Sequence, residues 1–173
     1  MRKIFIDCGI REGDGIAAFL GDEEVGFGAY HACLKPRTDA HEFEFIGFES
    51  PDFAYLEQTR TRFAAQRFRL IEKLVWTFNG EVTFDSDGTS YDNRIYEVSM
   101  TEDRSPWRHP NPNARLKQIP CVDLAAFVRQ HCSADDYLIL KMDIEGAEYK
   151  VLQRLIASEL LPWFNEMYIE YHW

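Results

Sequence analysis

A chain of 173 residues is long enough for one domain with a substantial core, and its formal net charge of −10 excludes a surface built to bind duplex nucleic acid. Hydrophobic residues make up 46% and charged residues 28%, a globular composition that argues against a disordered segment. No apolar run approaches the length of a membrane span, and the N-terminus becomes charged too early for a secretory signal core. The sequence therefore predicts one domain over 1–173 with neither a nucleic-acid nor a membrane partner, and it leaves the oligomeric state open.

The cysteine pattern predicts a reducing compartment. Cys8, Cys33, Cys121 and Cys132 include no C-x-x-C pair. Cys8 lies in an apolar run and Cys132 ends a predicted helix, so both are expected to be small buried hydrophobes. We therefore expect a cytoplasmic protein without disulfides or structural zinc.

The first part of the chain predicts a strand, a glycine turn and a helix. Residues 3–7 form a short apolar run that ends in an acid and then glycines, as a buried parallel strand does where it meets a loop. A helix is predicted over 13–20, and residues 21–41, which lack a clear period, are predicted to be an insertion. A second strand over 43–49 again ends in an acid.

A helix is predicted directly after the second strand. Ser50 is a good N-cap, Pro51 suits the first helical position and Asp52 suits the positive first turn.

The middle of the chain predicts a hairpin and a long loop. Residues 69–77 have strand character, Asn79-Gly80 is a typical hairpin turn, and 81–85 would be its return strand. Residues 86–118 are polar and contain three prolines, which predicts either a functional lid or a disordered loop.

The last part of the chain alternates again between helix and strand. Asp123 is predicted to cap a helix that runs to Cys132, followed by a strand over 137–142, a helix over 146–160 and a strand over 166–172. Strands that alternate with helices predict an α/β fold with a doubly wound, mostly parallel sheet.

The glycine turn after the first strand favours one cofactor over another. Gly9, Gly13 and Gly15 are spaced G-x-x-x-G-x-G, whereas a dinucleotide fingerprint is G-x-G-x-x-G. Glu12 and Asp14 in the same turn would repel a pyrophosphate. S-adenosylmethionine carries a sulfonium and an ammonium and no phosphate, so the local charge favours it over NAD.

Two further acids are predicted at the same edge of the sheet. Glu49 ends the second strand, where a carboxylate can accept both ribose hydroxyls of an adenosine ligand. Asp143 lies between an apolar strand and the turn at Gly146, and an acid there is costly without a partner. Glu148 is expected only to favour the start of a helix electrostatically.

The final segment offers a base or a metal site. Glu170 and His172 would alternate on one side of the last strand, and His172 could take a proton from a substrate hydroxyl. Alternatively, Asp143 with Glu145 or Glu170 could hold a divalent cation that lowers the pKa of the hydroxyl.

The chain resembles the FkbM family of methyltransferases over nearly its whole length, and the block around Asp143 is the most specific motif. The segments that carry the resemblance are Phe5-Ile6-Asp7-Cys8-Gly9, Ile46-Gly47-Phe48-Glu49, 74–84, Val122-Asp123-Leu124, 140–148 and Ile169-Glu170-Tyr171-His172. The family usually has Gly-Ala-Asn where this chain has Gly9-Ile10-Arg11, and Glu-Pro where it has Glu49-Ser50-Pro51. These departures bear on the substrate more than on the cofactor.

The resemblance implies a Rossmann-like class I methyltransferase that methylates a hydroxyl of a small molecule or sugar. It also implies two more strands after the last one, so the sheet is expected to lack its C-terminal strands. The cofactor residues would be Asp7, Gly9, Gly13, Gly15 and Glu49. The catalytic residues would be Asp143 and His172. Two other functions stay open, a nucleotide-dependent oxidoreductase on the same fold and a non-catalytic domain that binds the cofactor or a partner.

Overall fold

The computed structural model describes residues 1–22, 34–86, 94–95 and 115–172, and these form two β-sheets with flanking helices. The strands are β1 (Lys3–Cys8), β2 (Phe43–Phe48), β3 (Arg67–Ile71), β4 (Leu74–Trp76), β5 (Gly80–Ser86), β6 (Arg94–Ile95), β7 (Arg115–Asp123), β8 (Tyr137–Met142) and β9 (Phe164–Ile169). The α-helices are α1 (Asp14–Leu20), α2 (Leu56–Arg62), α3 (Leu124–His131) and α4 (Glu148–Ala157), with 3-10 turns at Ala40–Glu42 and Leu161–Trp163.

The first sheet confirms the predicted α/β class. Its five strands are all parallel in the order β3-β2-β1-β8-β9. The strands β1, β2 and β8 are apolar at nearly every position because helices cover both faces of the sheet. On one face α3 and α4 pack around Leu124 and Val151; on the other, α1 packs a phenylalanine cluster that includes Phe19. The strand order reverses between β1 and β8, the place where open α/β sheets bind ligands.

The second sheet was not predicted, and it corrects two predictions. It has the order β4-β7-β5-β6 among the described residues. Residues 69–77 are not one strand, because the chain turns at Glu72-Lys73 and β3 and β4 join different sheets. The hairpin at Asn79-Gly80 is also wrong, since β4 and β5 both pair with β7 instead of with each other. The Asn79 side chain instead accepts a hydrogen bond from the backbone N–H of Asp123 (3.1 Å).

The two predicted N-caps have opposite outcomes. Asp123 accepts hydrogen bonds from the N–H groups of Ala125 (2.9 Å) and Ala126 (3.3 Å) and caps α3, as predicted. The helix predicted at Ser50 begins only at Leu56. Ser50 accepts one weak bond from Asp52 (3.3 Å) in a local turn, and its own N–H is held by the Glu49 side chain. That turn therefore shapes the surroundings of Glu49 and does not start a helix.

The two irregular segments are described only in part. Residues 23–33 of the 21–41 insertion and residues 87–93 and 96–114 of the predicted lid lie outside the described residues. The boundary at 118 is wrong, because β7 already begins at Arg115 and pairs with β5. The last strand ends at Ile169, so Glu170 and His172 follow β9 and do not alternate along it.

The cysteine and membrane expectations have limited outcomes. Cys8 and Cys132 are buried, as expected for small hydrophobes, Cys121 is buried as well, and Cys33 lies outside the described residues. In the described part of the chain, no helix is long and apolar enough to cross a bilayer.

Candidate active site

A cleft opens at the carboxyl edge of the first sheet, beside the point where the strand order reverses. Its empty space is about 580 Å³, a figure that includes space open to solvent. Gly9, Glu49 and Asp143, which follow β1, β2 and β8, all line it. The opposite wall is apolar and aromatic, with Phe53 and Tyr55 stacked at a centroid distance of 5.2 Å.

Glu49 is buried at this cleft with a defined set of partners. One carboxylate oxygen accepts from the backbone N–H of Arg11 (2.8 Å), and the other accepts from the N–H of Ser50 (2.8 Å). Burial raises the pKa of Glu49 to about 7, although these hydrogen bonds oppose the rise. A carboxylate oxygen has capacity for more than one hydrogen bond, so both oxygens can still accept from a bound ligand.

Asp7 lies beneath the first turn and forms a buried ion pair. Its Oδ1 is 3.0 Å from Nζ of Lys141, its neighbour on β8, and both side chains are almost completely buried. Burial raises the pKa of Asp7 to about 6, although the Lys141 charge opposes the rise. Lys141 also donates to the carbonyl oxygen of Gly9 (2.8 Å). The pair therefore fixes the turn that lines the cleft, and it does not line the cleft itself.

The three glycines of the turn each have a close neighbour. A Cβ on Gly9 would lie 1.8 Å from the carbonyl oxygen of Asp143, and one on Gly13 would lie 2.1 Å from the Phe63 ring. A Cβ on Gly15 would lie 2.9 Å from Oδ2 of Asp7. Only Gly9 of the three lines the cleft. Packing within the protein therefore explains why glycine stands at Gly13 and Gly15, and their contact with a cofactor stays a prediction.

We expect Gly9→Ala to lower the free energy of unfolding by about 3–5 kcal/mol, because the methyl group would clash with rigid backbone and φ is +75°. Gly21→Ala is the matched control: its φ is +84°, but the added Cβ would meet only Pro36 at 3.3 Å. The control should cost about 1–2 kcal/mol, the price of the backbone conformation. Urea denaturation measures the free energy of unfolding of both variants. Equal losses would show that the clash with the Asp143 carbonyl oxygen adds nothing to the cost of the backbone conformation.

His172 lies behind Asp143, among carboxylates. Its Nδ1 donates to Oε1 of Glu148 (3.1 Å), and its Nε2 is 3.6 Å from Oδ1 of Asp143. Burial alone would lower the pKa of His172, but the bond to Glu148 and the charges of Glu145, Glu148 and Asp143 raise it to about 9. A protonated imidazole is not the form that a general base requires, so the raised pKa opposes this role for His172, which stays a prediction.

Glu148 shapes the turn between β8 and α4. It is fully buried, and its two oxygens accept from the N–H groups of Ile144 (2.7 Å) and Gly146 (2.9 Å). Glu145 within that turn has a φ of +54°, which is uncommon for a residue with a side chain. Glu148 therefore does more than favour the helix start, since it closes the turn and orients His172.

The structure brings together some of the predicted site residues. Gly9, Glu49 and Asp143 meet at the cleft, whereas Asp7 and His172 support it from behind. Lys141 and the aromatic wall were not predicted from the sequence. A lysine within the apolar run 137–142 was the available signal for Lys141, because a charge in a buried strand needs a partner.

Comparison with known proteins identifies the family of this chain. The model of the methyltransferase FkbM domain matches residues 13–173. A similar solved structure is methyltransferase FkbM from Methylobacillus flagellatus KT, at 13% identity and a TM-score of 0.47, with 91% of this chain and 30% of that chain covered. The chain thus spans under a third of that protein's length, and a likeness at this level carries no argument about function. The search of curated proteins gave no match.

Proposed function

The chain belongs to the FkbM methyltransferase family, and from that premise we propose that it transfers the methyl group of S-adenosylmethionine to a hydroxyl of a small molecule or sugar. The observation that supports this most is Glu49, a buried carboxylate that lines the cleft with acceptor capacity on both oxygens. Two ribose hydroxyls present two donors to such a group. Gly9 and Asp143 line the same cleft as Glu49.

The acidic side chains of the cleft would attract the two cationic groups of S-adenosylmethionine. Glu49, Asp143 and Glu145 all line it, together with Arg11 and Lys73. A sulfonium and an ammonium beside these acids are attracted, whereas a pyrophosphate close to them would be repelled. The acceptor hydroxyl is assigned to the Asp143 side of the cleft.

The chemistry requires little beyond orientation and removal of one proton. A lone pair of the hydroxyl oxygen attacks the methyl carbon, the carbon–sulfur bond breaks with its electron pair going to sulfur, and S-adenosylhomocysteine leaves. The hydroxyl proton passes to the Asp143 carboxylate. The sulfonium is already a strong electrophile, so the protein gains most by fixing the reacting atoms in line.

The test is transfer of an isotopically labelled methyl group from S-adenosylmethionine to a panel of sugars and small alcohols. The proposal expects label in a product ether and formation of S-adenosylhomocysteine in equal amount. Calorimetric titration with NADH is the parallel measurement. Tight binding of NADH with no methyl product would favour the oxidoreductase, and cofactor binding with no product from any acceptor would favour a non-catalytic domain.

We expect the affinity for S-adenosylmethionine to rise about tenfold between pH 6 and pH 8. The pKa of Glu49 is raised to about 7, and only the ionised carboxylate accepts from both ribose hydroxyls. The affinity should therefore increase as pH rises through 7 and level off above it. Calorimetry at several pH values measures this.

Glu49→Gln is the control for this titration, because an amide does not ionise. It should bind more weakly and with a flat profile between pH 6 and pH 8. The same slope in this variant would assign the titration to another group, of which Asp7, with its pKa raised to about 6 by burial, is the nearest candidate.

A further inference from the structure

Three side chains from two segments of the chain converge behind the floor of the cleft. Asp143 follows β8, and its backbone N–H donates to the carbonyl oxygen of Cys8 (3.0 Å). Glu170 follows β9, and its N–H donates to the carbonyl oxygen of Met142 (3.0 Å). His172 lies two residues further on. One nitrogen or oxygen atom from each of the three lies within 4.8 Å of the others.

The carboxylates around the imidazole lie slightly farther from it than two ligands of one cation lie from each other. Nε2 of His172 lies 3.6 Å from Asp143, 3.7 Å from Glu145 and 3.8 Å from Glu170, measured to carboxylate oxygens. These separations are too long for hydrogen bonds. Two atoms that each bind one cation at about 2.1 Å lie about 3.0–3.4 Å apart, so small side-chain movements would bring this set to bonding distance.

The orientation of the imidazole is a second and independent observation. Nδ1 donates to Glu148, and that carboxylate is fully buried and held in turn by two backbone N–H groups. Histidines that bind metals donate their other ring N–H to a carboxylate in this way, which fixes the tautomer and points the free nitrogen at the ion. The chain thus directs Nε2 toward three carboxylates and fixes it there.

We propose that Asp143, Glu170 and His172 bind one divalent cation, with Glu145 able to provide a fourth ligand and Glu148 orienting His172. Imidazole nitrogen is a preferred ligand of transition metals. A site with one imidazole and several carboxylates therefore suits Mn²⁺ or Zn²⁺ better than a site of oxygen ligands alone does. Binding displaces any proton on Nε2. A cation here would lower the pKa of an acceptor hydroxyl beside Asp143, so the catalytic part of this inference rests on the proposed function, whereas the binding itself does not.

The test is titration of the metal-free full chain with Mn²⁺, in which the electron paramagnetic resonance signal reports the free ion. The proposal expects one Mn²⁺ per chain, and His172→Ala and Glu170→Gln should each weaken binding about tenfold or more. Glu148→Gln should weaken it about 10- to 100-fold, because outer partners of metal ligands have effects of that size. Glu170→Gln changes one atom on a half-exposed side chain, so it keeps the test valid if another variant folds poorly.

His41→Ala is the matched control, since His41 is exposed in the 3-10 turn that precedes β2 and lies at the opposite edge of the sheet. This variant should bind Mn²⁺ as the unsubstituted chain does. Absence of a stoichiometric site, or binding that survives both His172→Ala and Glu170→Gln, would overturn the proposal. Calorimetry with S-adenosylmethionine on the chelator-treated chain separates the cation site from the proposed function. Cofactor binding without an Mn²⁺ site would overturn only the cation site, and an Mn²⁺ site without cofactor binding would overturn only the proposed function.

Discussion

Replacing Asp143 with Asn is expected to slow methyl transfer by about 100- to 10,000-fold, the range in which a positioned proton acceptor contributes. The substitution keeps the shape of the side chain and removes its charge at the wall of the cleft, where the acceptor hydroxyl is assigned. Asn cannot take the proton, and it is a weaker metal ligand than a carboxylate. The rate with an acceptor that the unsubstituted chain methylates is the measurement, together with calorimetry for the cofactor.

Asp135→Asn is the matched control for that experiment. Asp135 is an exposed acid just before β8, so it lies at the opposite end of the same strand. The control should keep full activity, and Asp143→Asn should keep most of its affinity for S-adenosylmethionine. Equal rates for the two variants would remove Asp143 from the reaction. A loss confined to cofactor binding would move its role to the cofactor.

The second large effect is expected at Glu49. Glu49→Ala should weaken binding of S-adenosylmethionine about 100-fold, because two charge-assisted hydrogen bonds worth about 1.5 kcal/mol each are lost. The same substitution frees the N–H groups of Arg11 and Ser50, which Glu49 accepts from, so some stability is lost as well. Calorimetry measures the affinity, and thermal unfolding measured beside it shows how much of the chain is folded.

Glu57→Ala is the control for the Glu49 variant. Glu57 lies in the first turn of α2, and its side chain is 80% exposed beside Arg60. Its removal should leave both the affinity and the unfolding temperature unchanged. Retention of full affinity by Glu49→Ala, with the chain folded, would place the adenosine away from the carboxyl end of β2.

The first sheet could be predicted because its strands carry a local signal. Residues 3–7, 43–49 and 137–142 are mostly apolar, and each ends in an acid or is followed by one, and burial on both faces produces the apolar run directly. The second sheet could not be predicted. The pattern at 69–77 reads as one strand, and only the pairing of β4 with β7, which follows it by about forty residues, shows where the chain divides.

Two acids of the site could be predicted from the sequence, whereas the contacts of Ser50 and Glu148 could not. Glu49 could be predicted because a carboxylate at the end of the second strand can accept both ribose hydroxyls, and Asp143 because an acid between an apolar strand and a glycine turn is costly without a partner. The Ser50 N-cap prediction is wrong because the chain after Ser50 forms a turn, in which Ser50 Oγ accepts from the N–H of Asp52, and the helix begins only at Leu56. Glu148 was taken as a helix-start residue because its bonds to Ile144, Gly146 and His172 depend on a turn with positive φ.

A crystal structure of the chain with S-adenosylhomocysteine tests most directly whether the cofactor binds in the cleft beside Glu49. We predict that the adenosine occupies the cleft between Gly9, Glu49 and Asp143. Both ribose hydroxyls should lie within hydrogen-bonding distance of the Glu49 oxygens, and the sulfur should lie toward Asp143. Adenosine bound elsewhere, or a cleft that closes over Glu49 when the ligand binds, would contradict it.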